Sequence, residues 1–105
     1  MSQQTLEGDT IDDLREEYRH KVTEMLPERA QSEDGWPIHL DHCFGRVVLD
    51  NLFGDEWYDH VDGRPAYMCL SMAELQEAID IADSMLEDGP QRCEELNDRS
   101  LRWRA

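Results

Sequence analysis

Residues 40–54 read LDHCFGRVVLDNLFG, and this stretch predicts a helix that is apolar on nearly every side. Its apolar residues recur at steps of three and four, which is the spacing of a helix face. Asp41 caps the predicted helix, or the helix begins near Pro37, and Gly54 supplies the residue that commonly ends one. A helix apolar all round lies at the centre of a domain. The main apolar face comprises Leu40, Phe44, Val47, Val48 and Leu52.

Helical spacing continues on both sides of this central stretch. Thr10, followed by acidic residues, predicts the start of a helix over about residues 11–26. Pro27 follows, and a helix usually ends before a proline, so residues 27–35 are interpreted as a polar loop. Ser71 and Glu74 form a capping-box pattern that begins a helix reaching about residue 86. Gly89 and the following proline stop that helix, and a last one begins near residue 91.

The sequence between these helices predicts shorter elements. Residues 55–61 form a short helix, and residues 62–65 form a turn. No alternation of apolar and polar residues indicates a strand. The sequence therefore predicts a single all-α domain over residues 10–105, built as a bundle of four to five helices. Residues 1–9 are polar and are predicted to form a flexible N-terminus.

The composition is strongly acidic. Twenty-five Asp and Glu residues face ten basic residues, for a net charge of −15, and Lys21 is the single lysine. The preferred interpretation is a salt-adapted, halophilic protein of archaeal-like composition, because concentrated salt screens the repulsion between like charges. The alternative is an acidic mimic that offers carboxylates to a nucleic-acid-binding protein. Direct nucleic-acid binding is not expected, because no basic patch is present.

The cellular setting follows from what the sequence contains. No apolar run approaches the length needed to cross a bilayer, so no membrane span is expected. The first residues resemble no secretory signal, which predicts a cytoplasmic protein. The three cysteines are then expected to be free thiols. A monomer or weak dimer is predicted.

One polar stripe on the central helix is the first candidate site. His42, Arg46 and Asp50 are each four residues apart, so they share one side of a helix. They are interpreted either as an ion pair of Arg46 with Asp50 beside an exposed histidine, or as groups that bind an anionic or carbonyl ligand. Asn51 lies among apolar residues and is expected to hydrogen-bond a neighbouring backbone, in the first instance the turn at residues 63–67.

Cys43 is the candidate catalytic residue. In the first turn of a helix, backbone N–H groups favour the reactive thiolate, but a nucleophile also needs a base. His42 is adjacent and points elsewhere, so His39 or His60 would have to approach. The alternative is a small buried hydrophobe. The residues His39, His42 and Cys43 are also of the types that bind zinc, although no paired-ligand spacing is present.

Two further features bear on a pocket. Trp36, Trp57 and Tyr67 are interpreted either as pocket walls or as core residues of a small domain. Gly45 lies inside the central helix, where glycine costs about 1 kcal/mol relative to alanine. The glycine predicts close approach by another element.

The pattern His-Cys-Phe-x-Arg at residues 42–46, then Asp-Asn at 50–51, Trp57 and Pro-Ala-Tyr at 65–67, resembles a family of small uncharacterised all-α proteins. The resemblance covers about residues 41–85. Members are sometimes labelled acetyltransferase-like, yet this chain lacks the Gly-rich loop that would bind a pyrophosphate group. The resemblance implies that the following seven residues form one spatial cluster: His42, Arg46, Asp50, Asn51, Trp57, Pro65 and Tyr67.

These features predict a small acidic binding or accessory module. Its pocket would lie at those seven residues and would take a small anionic ligand or a protein partner, without a cofactor. The alternatives are a thiol- or metal-dependent enzyme of transferase type that uses Cys43, and the acidic nucleic-acid mimic.

Overall fold

Five α-helices and two short 3-10 helices make up the fold in the computed structural model, which describes residues 10–105. The predicted flexible N-terminus, residues 1–9, lies outside the described residues. The α-helices are α1 (Ile11–His20), α2 (Leu26–Ser32), α3 (Asp41–Phe53), α4 (Met72–Asp88) and α5 (Pro90–Arg104). The 3-10 helices are Trp57–Asp59 and Ala66–Cys69. No strand occurs between residues 10 and 105, and the predicted all-α bundle is confirmed.

Most of these helices begin or end at residues that favour a helix end. Thr10 accepts a hydrogen bond from the Asp13 backbone N–H and caps α1. Ser71 and Glu74 form the predicted capping box of α4. Gly54 follows α3 with φ of 70°, in the left-handed region that a residue with a Cβ rarely adopts. None of the helices in the described range is both long and apolar enough to cross a membrane.

The prediction that the first helix ends before Pro27 is wrong. A π-helical segment, Lys21–Met25, joins α1 directly to α2, and Pro27 lies inside the continuous helix. In a regular α-helix, proline lacks the N–H that would bond the carbonyl four residues back, and its ring clashes with that carbonyl. In the π segment the Leu26 N–H bonds Lys21 O, five residues back, and this wider turn accommodates the proline. The predicted loop at 27–35 is therefore mostly helix.

Helix α3 is the centre of the bundle. It packs against the π segment, α4 and α5. Phe44, Val47 and Val48 are completely buried on it, as the sequence predicted. Leu40 was placed on this face but is half exposed, because it precedes the first turn and caps the helix. The buried residues of α4 lie on one helix face, and they are Leu75, Ala78, Ile79, Ala82 and Met85.

Candidate functional site

A cavity of about 580 Å³ opens between the first helix, α3 and the two 3-10 helices. Cavities of this size are typical of small-molecule sites. The α1 end and the π segment supply Tyr18, Val22 and Thr23, and α3 supplies Asp41, His42, Gly45, Arg46 and Leu49. The segment after α3 closes the other side with Trp57, Arg64, Pro65, Ala66 and Tyr67.

Five of the seven residues that were predicted to cluster border this one cavity. They are His42, Arg46, Trp57, Pro65 and Tyr67. On α3 the lining positions 42, 45, 46 and 49 follow the spacing of one helix face, so the helix presents them together. Asp50 and Asn51 do not line the cavity, because they turn toward α5 instead.

Gly45 faces open space, which corrects the prediction that another element approaches it. A Cβ atom built on Gly45 meets no atom within 4 Å, apart from the backbone of its own helix and its chain neighbours. Gly45 also borders the cavity. The glycine therefore costs helix stability without allowing closer packing. Its effect is to leave the cavity wall free of a side chain.

Arg46 does not form the predicted ion pair with Asp50. Its guanidinium donates to Ser100 Oγ at 2.8 Å and to Asn97 Oδ1 at 2.9 Å, both on α5. These acceptors are neutral and fix the side chain, and Ser100 Oγ in turn donates to Asp50, so one hydroxyl separates Arg46 from that carboxylate. Helix α5 packs along this side of α3 and offers nearer partners than a residue of the same helix does.

Asp50 is the anion at the centre of a buried network. It is completely buried and accepts hydrogen bonds from Ser100 Oγ at 2.6 Å and from Arg104 Nε at 2.7 Å. Its other oxygen accepts from Arg104 Nη2 and from the Trp57 backbone N–H at 3.0 Å. The carboxylate hydrogen bonds raise the pKa of Arg104. Asp50 thus fixes the backbone of a cavity wall, Trp57, to the end of α5.

Arg64 is a lining residue that the sequence interpretation missed. Its guanidinium carbon lies 5.4 Å from the centre of the Trp57 ring, a cation–π arrangement. Arg64 is exposed, and no carboxylate of residues 10–105 lies within salt-bridge distance of it. Arg64 directly precedes the Pro-Ala-Tyr sequence at residues 65–67, and this position could have identified it as a lining residue.

Tyr18 was also missed, because it lies among the buried apolar residues of α1, which is typical of a residue that only packs. Its ring stacks on Tyr67, with ring centres 5.4 Å apart. Only 3% of Tyr18 is exposed, whereas Tyr67 is half-buried. Burial raises the pKa of the Tyr18 phenol well above its ordinary value. The pair forms one apolar wall of the cavity.

The structure also shows the contacts of three other predicted residues, Asn51, Trp36 and His42. Asn51 binds backbone, as expected, but its amide donates to Val47 O and to Leu96 O on α5, not to the turn at 63–67. Trp36 is a core residue away from the cavity, and its indole N–H donates to Glu33. His42 is mostly exposed and lies at the cavity rim beside Asp41.

The structure brings no base to Cys43. The thiol is half-buried against the core and makes no hydrogen bond with any of residues 10–105. His39 is exposed, and His60 stacks on Phe53 instead, with ring centres 5.0 Å apart. Within the described residues, no three His, Cys, Asp or Glu side chains are arranged to hold a metal ion. The geometry therefore gives the thiol- or metal-dependent enzyme hypothesis no support.

Comparison of the chain with protein-family models, with curated proteins and with solved structures finds no match. The interpretation of the cavity therefore rests on its own residues.

Proposed function

We propose that this protein is a binding or accessory module whose cavity takes a small amphipathic anion. The observation that carries the proposal is the pairing of an apolar cavity with two arginines that have no carboxylate partner within residues 10–105. Ligand sites typically combine apolar walls with a few placed polar groups. Arg46 and Arg64 would bind the acid group, and Trp57 and Tyr67 would contact the apolar body.

The ion pairs elsewhere in the protein support this assignment. Six basic residues contact an acidic side chain within the described range: Arg15, Arg19, Lys21, Arg29, Arg92 and Arg104. Four arginines do not, and two of these line the cavity while Arg99 and Arg102 lie exposed on α5. In a chain of net charge −15, two arginines without acidic partners on one apolar cavity favour an anion from outside the chain.

The two arginines would act differently. The Arg46 side chain is fixed by Asn97 and Ser100, so it loses little further freedom when a ligand binds. Arg64 is exposed at the entrance and rests on the Trp57 ring. It would attract the acid group first and then hold it over the aromatic wall. His42 would donate a hydrogen bond from the rim.

The sharpest test changes Gly45, because this residue borders the cavity and a Cβ built on it meets no atom within 4 Å outside its own helix backbone and chain neighbours. The probe is 1-anilinonaphthalene-8-sulfonate, an aromatic anion whose fluorescence rises in apolar surroundings. Gly45→Leu is expected to reduce its binding at least tenfold while helical content is kept, and Gly45→Ala serves as the matched smaller change. Equal binding to wild type and Gly45→Leu would contradict the proposal.

A second test compares two variants to ask whether binding of the anion requires the positive charge of Arg64. Arg64→Gln removes a cavity arginine, and Arg99→Gln removes an exposed arginine outside the cavity, so both variants have the same net charge. We expect Arg64→Gln alone to weaken binding of the sulfonate probe. Nile red, a neutral apolar dye, should bind the two variants equally.

We further propose the cellular setting that the charge favours: a cytoplasmic, salt-adapted protein that acts as a monomer or weak dimer. Exposed acidic residues occur on all five α-helices, which supports adaptation to the solvent over mimicry of nucleic acid by one charged face. Membership of the small all-α family suggested by the residue 42–67 pattern also remains a proposal. It is supported by the placement of five of the seven pattern residues on one cavity.

A further inference from the structure

We infer that the ligand carries a second hydrogen-bonding group besides its acid, and that the Tyr18 hydroxyl recognises it. The inference rests on the proposed function and narrows the ligand to hydroxyaryl acids and their close analogues. It assigns to Tyr18 a role in specificity that its place in an apolar helix row does not suggest.

The first observation is a tyrosine hydroxyl at the cavity that no group of residues 10–105 binds. Tyr18 is 97% removed from solvent and borders the cavity, yet its hydroxyl makes no hydrogen bond with residues 10–105. Buried tyrosines usually hydrogen-bond through the hydroxyl, and a ligand in the cavity would supply the partner here. The buried polar residues Asp50, Asn97 and Ser100 are paired within the protein, whereas Arg15 Nε is a buried polar atom without a partner among residues 10–105.

The second observation is that the packing of Tyr18 does not require its hydroxyl. The stack on Tyr67 uses the ring face, and phenylalanine would make it equally well. A tyrosine phenol is protonated at neutral pH, so Tyr18 is a neutral group that both donates and accepts. It therefore suits a ligand hydroxyl or carbonyl, whereas the two arginines suit the acid.

The size and walls of the cavity favour an aromatic ligand body. Tyr18, Tyr67 and Trp57 all border a space of about 580 Å³, and aromatic pairs prefer stacked or edge-to-face contact. A planar ring with an acid at one position and a hydroxyl at another satisfies both the aromatic walls and the polar groups.

The test compares phenylacetate with its 2-, 3- and 4-hydroxy isomers as competitors of the sulfonate probe. We expect at least one isomer to bind wild-type protein about tenfold more tightly than phenylacetate, since sites that hydrogen-bond a ligand hydroxyl reject analogues lacking it. Tyr18→Phe should abolish the preference. Tyr58→Phe, which removes an exposed hydroxyl outside the cavity, should keep it.

The outcomes separate the two proposals. If all four acids compete equally and Arg64→Gln still weakens them, the role of Tyr18 is wrong and the anion site stands. If a preference appears but survives Tyr18→Phe, another group recognises the hydroxyl and the inference is overturned. If Gly45→Leu leaves probe binding unchanged, the proposed function itself fails. The wild-type comparison does not depend on the folding of any variant.

Discussion

Arg104→Met is expected to destabilise the protein strongly, although Arg104 is the last residue of α5. The side chain reaches Asp50 through two hydrogen bonds, Nε at 2.7 Å and Nη2 at 3.1 Å. Methionine keeps an apolar chain but removes the charge and both donors. The completely buried Asp50 carboxylate would then lose its ion-pair partner.

The size of the expected loss in the free energy of unfolding depends on the hydrogen bonds that Asp50 retains. Removing one partner of a buried ion pair costs roughly 3–5 kcal/mol. Here Asp50 retains Ser100 Oγ and the Trp57 N–H, and 23% of the Arg104 side chain is exposed to water, which screens the pair. We therefore expect a loss of about 2–3 kcal/mol in the free energy of unfolding. That is a large part of the roughly 5–15 kcal/mol that stabilises a typical domain.

Urea denaturation followed by circular dichroism measures this loss. With a urea dependence of about 1–3 kcal/mol per molar, the midpoint should fall by roughly 0.7–3 M. Arg102→Met is the matched control, because Arg102 is an exposed arginine in the same last turn. Arg104→Lys should recover only part of the stability, since an ammonium cannot reproduce the two-point contact. If Arg104→Met and Arg102→Met have the same midpoint, the network does not stabilise the fold as described.

Four further outcomes are expected. Gly45→Ala should raise the free energy of unfolding by about 0.5–1 kcal/mol in thermal denaturation, because the added methyl meets no neighbour; a loss of stability would mean that the wall is closed. Asn51→Ala should lower the free energy of unfolding by about 0.5–1.5 kcal/mol, since the amide hydrogen bond to Leu96 O across the contact of α3 with α5 is lost, and no change would indicate that water replaces the amide. Raising NaCl from 0.1 to 2 M should increase the urea midpoint through screening of the net charge, whereas a midpoint independent of salt would count against salt adaptation. Burial raises the pKa of the Cys93 thiol to about 12, so at pH 9 iodoacetamide should modify exposed Cys69 much faster; similar rates in folded protein would show that α5 opens readily.

The sequence predicts the helices best where one local signal decides them. The capping box at Ser71 and the glycine at Gly54 each act within a single turn, so they do not depend on the rest of the fold. The prediction at Pro27 was wrong because the effect of this proline does depend on the structure around it. Its usual effect assumes regular α-helical hydrogen bonding before it, and the π segment changes that bonding.

The candidate site could be predicted in part. The residue 42–67 pattern identified five lining residues, because α3 presents positions 42 and 46 on one face whatever packs against it. It could not assign Asp50, which shares their stripe, because the choice between an intrahelical and an interhelical partner depends on where α5 lies. Tyr18 is 24 residues away from His42 along the chain, and only the folded arrangement brings it to the same cavity.

The π segment also explains how α1 and α2 keep one face toward the core. Leu14, Tyr18, Val22, Leu26 and Ala30 are all buried, at a constant step of four. At 3.6 residues per turn, such a row would drift around a regular helix by about 40° per step, or about 160° from first to last. The wider turns of Lys21–Met25 hold more residues and so take back part of that drift. A run of buried residues at a constant step of four thus indicates, in the sequence itself, a helix with wider turns near its middle. Those wider turns contain Val22 and Thr23, which border the cavity.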